Sequence, residues 1–287
     1  MDIGTAKVAP DDRARVTHHG LDLVHPGEPF SVAAFRAHAL GALQALAARE
    51  GIGLVVGGTG LYLRAVARGI DTDRLPNDPE LRSRLEADLA TDGLDALLGR
   101  LDALAPGLGT NVDRRNPRRV VRALELALLR GDEPLPTPLG YPAPVLWLGL
   151  TADREIHRQW IADRAAGQFD GGLLDEARAL LERYPASLRS FSAIGYPEAF
   201  AVVEGRLERD AALVGTIQRT NAFARRQRTW FRGEPDMTWL DATDDPFPAA
   251  TALVERFLET GSPPELPPDA ALRPPGGAPP APDRPPA

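Results

Sequence analysis

The chain has 287 residues, 43% hydrophobic and 25% charged, with a formal charge of −7, which is enough to bury one or two cores and excludes a generally basic nucleic-acid coat. No run of about 18 uncharged apolar residues occurs, and Met1-Asp2-Ile3-Gly4 has neither the basic lead nor the apolar stretch of a signal peptide, so neither membrane spanning nor secretion is expected. With no cysteine, a disulfide framework, a thiolate zinc site and a cysteine nucleophile are excluded, and a cytoplasmic location is the expectation.

In chain order, Gly20–Val24 reads as a strand, Ser31–Arg49 as a helix and Ile52–Val56 as a buried strand, an order that suggests α/β. From Pro79 to Gly131 the pattern is helical, with Leu81, Leu85 and Leu89 sharing one side of one helix and Val120, Val121, Leu124 and Leu128 one side of another. The sheet resumes with a short buried strand at Val145–Leu150. Helices over Asp153–Arg183 and Glu208–Arg232 and a last strand at Met237–Leu240 complete the pattern. The expected organisation is an α/β core over residues 1–74 and 141–245, a helical insertion over 75–140, and a disordered tail over 262–287, which holds eleven of the chain's 28 prolines.

The sharpest local feature is Leu54-Val55-Val56-Gly57-Gly58-Thr59-Gly60-Leu61-Tyr62, an apolar run entering glycines and then a helix. Such glycines let a backbone approach a ligand, with Thr59 at the mouth, or serve only as a structural turn. The spacing and lysine of a Walker A loop are absent. Arg115, Arg118, Arg119 and Arg122 fall at i, i+3, i+4 and i+7, which suits either a phosphate rail or a solvated face that Asp113 and Glu125 partly neutralise. Arg225–Arg232 mixes guanidiniums with Trp230 and Phe231, compatible with stacking on unpaired bases or with core anchoring. His18, His19 and His25 lack metal-ligand spacing and suit hydrogen-bonding roles; Asp22 and Glu28 are candidate acid–base partners for them.

Met1-Asp2-Ile3-Gly4-Thr5-Ala6-Lys7, His18-His19-Gly20-Leu21-Asp22, Gly57–Tyr62, Ile194-Gly195-Tyr196 and Arg226-Gln227 occur in an order that resembles bacterial tRNA dimethylallyltransferases, from residue 1 to about residue 241. The resemblance implies a P-loop kinase-like parallel sheet with a helical insertion. It implies transfer of a dimethylallyl group from dimethylallyl diphosphate to the exocyclic N6 amine of a flipped-out adenine 3′ of the anticodon, in tRNAs reading codons that begin with U. The implied partners are the tRNA anticodon stem-loop and dimethylallyl diphosphate, with Mg²⁺ assisting and a monomer as the default state.

Carried over by position, the implied tRNA contacts are Thr59, Arg82, the segment Arg118-Arg119-Val120-Val121-Arg122 and the segment Ser192-Ala193-Ile194-Gly195-Tyr196-Pro197. Pro197 departs from the basic residue usual there. The larger departure is at the front, because Met1 aligns with a methionine inside the family's pattern. The first strand, the P-loop, the general-base aspartate and the expected Mg²⁺ ligands would all precede it. The expectation is therefore a transferase by family whose chain as written is inactive, with a non-catalytic tRNA-binding remnant as the alternative and a small-molecule P-loop kinase as a distant third.

Overall fold

The computed structural model describes residues 1–70 and 75–263. Packing divides the chain into two compact units, residues 1–63 with the chain from Tyr141 onward, and Arg64–Gly140.

The chain opens with a turn in which Lys7 N donates to Asp2 O and Ala6 N to Ile3 O, both at 3.0 Å, followed by the short helix α1 (Pro10–Arg15). The strand expected at Gly20–Val24 does not form. Gly20 has φ +81° and Asp22 φ +56°, left-handed values that break an extended ladder. Helix α2 (Val32–Ala47) starts where Ser31 Oγ accepts from Ala34 N at 3.1 Å. The buried strand expected at Ile52–Val56 is also absent: the segment joins no ladder, and Leu54 and Val56 are 85% and 82% exposed. An apolar run supplies strand-forming side chains, but a strand also needs a neighbouring backbone to pair with. Helix α3 (Gly60–Arg64) follows and continues into a π-helical turn, Ala65–Gly69.

In the Arg64–Gly140 unit, helices α4 (Pro79–Asp92), α5 (Leu94–Leu104), α6 (Pro106–Asn111) and α7 (Pro117–Arg130) pack on one another. Asp78 caps α4 by accepting from Glu80 N and Leu81 N at 3.0 and 2.9 Å, and Asn116 caps α7 by accepting from Arg119 N at 3.3 Å. Each cap precedes a proline at the first helical position, where no intrahelical hydrogen bond is lost. Leu85, Leu97, Leu101, Val120 and Leu124 form the core. Because α7 begins at Pro117, Arg115 lies in the preceding turn, and the expected four-arginine stripe is reduced to Arg118, Arg119 and Arg122. Leu128, expected on the apolar side, is exposed.

Beyond Tyr141 the first unit continues with β1 (Trp147–Thr151), α8 (Arg154–Asp170), α9 (Leu173–Arg183), a 3₁₀ turn at Arg189–Ser192, α10 (Tyr196–Val203), α11 (Arg209–Arg232), β2 (Met237–Asp241) and α12 (Phe247–Thr260). β1 and β2 pair in parallel, Trp147 opposite Met237 and Thr151 opposite Asp241. Phe169, Leu173, Ala177, Phe191, Tyr196 and Phe200 form this unit's core. At the level of class the expectation holds: the chain is helix-rich α/β with a small parallel sheet. The tail expected over 262–287 lies, from residue 264 on, outside the described residues.

Candidate functional site

Two sequence motifs far apart in the chain meet in the first unit. Glu176 of α9 accepts from the backbone N–H groups of Asp2, Ile3 and Gly4, with Ile3 N and Gly4 N each 3.2 Å from Oε2. The Tyr196 hydroxyl donates to the same Oε2 at 2.8 Å. Gln168 Nε2 donates to Ile3 O and Gly4 O at 2.9 and 3.1 Å, completing the clasp on the N-terminal segment. Gly4 is required for this approach, since a Cβ there would lie 2.5 Å from the Tyr196 ring. Burial pushes the Glu176 carboxyl up, but donation from Asp2 N, the Tyr196 hydroxyl and Gly4 N outweighs it and leaves the group below its ordinary value. Burial, together with the Glu176 charge, pushes the Tyr196 phenol up.

The clasped segment forms one wall of a cleft of about 1380 Å³. Lys7 is paired with Asp2 and Asp22 on its rim, and Arg13 Nη1 donates to Asp22 Oδ2 at 2.9 Å. The hydrogen bonds from Lys7 and then Arg13 pull the Asp22 carboxyl down to about 2, and the bond from Lys7 lowers Asp2 as well. Burial opposes the Lys7 charge, yet the two carboxylates hold its ammonium above the ordinary value. Asp22 is thus engaged by Lys7 and Arg13 rather than by the histidines considered as its partners. Glu28 instead accepts from His25 N at 2.6 Å, and His18 Nδ1 lies 2.7 Å from Val16 O. Across the cleft, Phe30, Leu61 and Tyr62 contribute an apolar wall, with Tyr62 stacked on Phe35 at 4.7 Å between ring centroids.

The glycine motif packs against α11. A Cβ on Gly60 would lie 2.0 Å from Trp230 Nε1, and one on Gly58 would lie 1.8 Å from Gln227 Nε2, which donates to Gly58 O at 2.9 Å. Neither glycine has a positive φ, so close approach rather than a left-handed turn explains both. Thr59 is exposed between them. Trp230 is thereby a packing anchor of α11.

Sequence reasoning did not foresee a basic cluster in which α8 contributes Arg154, His157 and Arg158 and α11 contributes Arg225 and Arg228. Burial, then the charges of Arg232, Arg154 and Arg225, push the Arg228 guanidinium below its ordinary value. Burial and the Arg228 charge do the same to His157. Mutual repulsion of this kind is relieved by an anion. The i, i+3 spacings within each helix were readable, but the packing of α8 on α11 was not.

In the Arg64–Gly140 unit, α7 presents Arg118 and Arg119 to solvent, with Arg119 3.5 Å from Asp113. Glu125 on the same helix is fully buried. Its Oε2 accepts from Arg82 Nη2 at 2.6 Å, Arg82 Nε at 2.9 Å and Arg122 Nη1 at 2.8 Å, while Oε1 accepts from Asp78 N at 2.9 Å. Burial alone would raise the Glu125 carboxyl; the Asp78 N–H, Arg122 and Arg82 together bring it below its ordinary value.

A family model described as IPP transferase matches residues 1–234. The chain belongs to the IPP transferase family. Among relatives of this family, a protein from Geobacillus kaustophilus named tRNA dimethylallyltransferase is 36% identical over 263 residues, 90% of this chain and 84% of its own. One of the same name from Thermus thermophilus is 42% identical over 246 residues, 84% of this chain and 80% of its own. The crystal structure of a full-length tRNA isopentenylpyrophosphate transferase from Bacillus halodurans superposes with a TM-score of 0.65 at 32% identity, covering 91% of this chain and 83% of that one. A eukaryotic dimethylallyltransferase described as acting on tRNA shares the fold, with a TM-score of 0.73 at 22% identity over 92% of this chain and 71% of that one.

The positions that the IPP transferase resemblance singles out differ in what they present. Thr59, Arg118, Arg119 and Ser192 are exposed, and Arg82, Arg122, Ala193, Ile194 and Pro197 half-buried. Val120, Val121, Gly195 and Tyr196 are buried, the two valines within the helical core and Tyr196 within the clasp. Gly195, at φ +98°, makes the turn into α10, and Pro197 sits in that helix's first turn, where its missing N–H removes no helical bond. Magnesium takes hard oxygen ligands. Asp2 and Asp22 are bridged by Lys7, and no group of three or more His, Cys, Asp or Glu side chains gathers among the described residues.

Proposed function

We propose that this IPP transferase acts in the transfer of a dimethylallyl group from dimethylallyl diphosphate to the N6 amine of the adenine 3′ of the anticodon, in tRNAs reading codons that begin with U. We further propose that the 287-residue chain by itself binds the RNA without completing the transfer. The first half is carried by 42% identity over 246 residues to a protein named tRNA dimethylallyltransferase. A cleft with an aromatic wall suits a base swung out of its stack, which this chemistry demands. The basic cluster on α8 and α11, and separately the arginines of α7, suit a polyanionic backbone. Thr59, Arg82, Arg118, Arg119, Arg122 and Ser192 are the side chains this reading places against RNA.

The second half rests on the cleft's carboxylates. Lys7 is paired with both Asp2 and Asp22 and Arg13 adds a further bond to Asp22, so these carboxylates are engaged by cations, whereas the transfer needs a base to take the proton that the adenine amine sheds as its bond to carbon forms. The test is to incubate the pure chain with unmodified tRNA and labelled dimethylallyl diphosphate, and separately to titrate the tRNA across a salt series. Binding that weakens steeply with salt and no labelled RNA is the expected outcome. Label transfer overturns the claim that the chain does not complete the reaction; a flat salt response or no binding overturns its binding of the RNA, and with it the reading of tRNA as its substrate.

A further inference from the structure

The buried Glu125 is poorly explained as a stability element alone. An ionised carboxylate removed from water is costly, and an apolar side chain of similar size is often as stabilising there. What Glu125 does with its charge is hold two arginines from different helices in fixed orientations. Arg82 of α4 spends Nε and Nη2 on Glu125 Oε2, with Nη2 also 2.7 Å from Asn77 Oδ1. Arg122 of α7 spends Nη1 on the same oxygen and on Pro76 O, the latter at 2.9 Å. Among the described residues nothing occupies Arg82 Nη1 or Arg122 Nε and Nη2. The two side chains keep 37% and 30% of their surface exposed while their shared acceptor has none. One negative charge thus serves two guanidiniums, leaving a net positive, pre-oriented pair beside the exposed Arg118 and Arg119. Planar guanidinium donors held in this way match phosphate oxygens.

We propose that Glu125 is a positioning residue for RNA binding, fixing Arg82 and Arg122 so that their free donors engage one backbone phosphate group or an adjacent pair. The inference rests on the RNA-binding half of the reading above. It carries an unusual sign. If the carboxylate acted on RNA only through its charge, removing it would strengthen binding to a polyanion; as a positioning group, its removal weakens binding.

The experiment is a cycle in the full chain, with an unmodified tRNA anticodon stem-loop as the probe and folding checked by circular dichroism. Glu125→Gln is expected to weaken binding about tenfold, the scale of a lost charge-assisted contact. In an Arg82→Lys/Arg122→Lys background the ammonium groups still pair with Glu125 but the planar donors are gone. There Glu125→Gln is expected to leave binding unchanged or to tighten it. Unchanged or tighter binding by Glu125→Gln in the native background overturns the positioning role, and so does an equal loss in both backgrounds, which marks a structural one. If Glu125→Gln does not fold, Glu125→Asp, which keeps the charge but withdraws it by one methylene, enters the same cycle and is expected to weaken binding only where the arginines are present. A native chain that does not bind the stem-loop sinks the RNA reading and this inference together, whereas a native chain that binds and ignores Glu125 sinks only the inference.

Discussion

Within Arg64–Gly140 the apolar side chains of the helix interfaces are inside, with Leu97, Leu101 and Val120 wholly removed from solvent, and the exposed leucines, among them Leu104, Leu128 and Leu139, lie outside that core. In the unit that carries β1 and β2, apolar residues of strand-like sequence stand in water, among them Leu54, Val56 and Leu150. The cause lies in the backbone. A helix satisfies its own N–H and C=O groups and needs a neighbour only for its apolar face. A strand needs a neighbour for its hydrogen bonds as well, and a parallel strand is ordinarily covered on both faces. The four-helix unit closes with what its own sequence supplies, while the β1–β2 pair is too small to cover the apolar segment ahead of the glycine motif.

The strongest test of this contrast is Leu101→Ala. Leu101 lies at the centre of the helical core, and its truncation is expected to cost about 2–5 kcal/mol in urea unfolding, in the range of other leucine truncations in closed cores. A loss under about 1 kcal/mol would mean that the helical unit is looser than its burial implies. Gly60→Ala sharpens the other side, because the first unit does have tightly packed points. The new methyl group would collide with the Trp230 indole, and the expected loss is about 1–3 kcal/mol, with α11 displaced from the glycine motif. Trp230 fluorescence reports whether that displacement occurs.

The clasp around residues 1–4 is the first unit's other closed region, and it titrates. Glu176 has a folded value below its ordinary 4.5, so the unfolded chain takes up its proton first as pH falls. Its contribution is complete above about pH 4.5 and is lost as pH drops through the folded value. Glu176→Gln is expected to cost about 1–2 kcal/mol at pH 7 and to flatten the acid limb of a plot of thermal midpoint against pH. An acid limb unchanged by the substitution would show that other carboxylates set it.

What was legible in the sequence follows the same division. Ser31, Asp78 and Asn116 mark helix starts through short-range hydrogen bonds, so α2, α4 and α7 could be read locally. Ile52–Val56 could not, because its composition fits a buried strand while its pairing depends on backbone elsewhere. Gly20–Val24 failed for a nearer reason, the left-handed conformation at Asp22. The arginines of α7 were visible from their spacing, yet Glu125 looked like a surface neutraliser and is instead the buried group beneath Arg82 and Arg122. Arg82 lies far from Glu125 in sequence, and only the packing of α4 on α7 brings them together. The same limit hid the joint cluster of α8 and α11.

The smallest effect is the most specific to the exposed side of the contrast. Leu54 makes little buried contact, so Leu54→Ser is expected to change unfolding free energy by no more than about 0.5 kcal/mol, as at most exposed sites. A dye that fluoresces on apolar surface should nonetheless bind less, because Leu54, Val55 and Val56 form a contiguous apolar run in water. The pairing of these two readouts matters. A stability loss near that of Leu101→Ala would mean that Leu54 is buried in solution and that the contrast between the units is false. Unchanged stability with reduced dye binding and slower aggregation would mean that the segment ahead of the glycine motif is an uncovered apolar surface, held in place by the packing of Gly58 and Gly60 on α11 and not by a sheet.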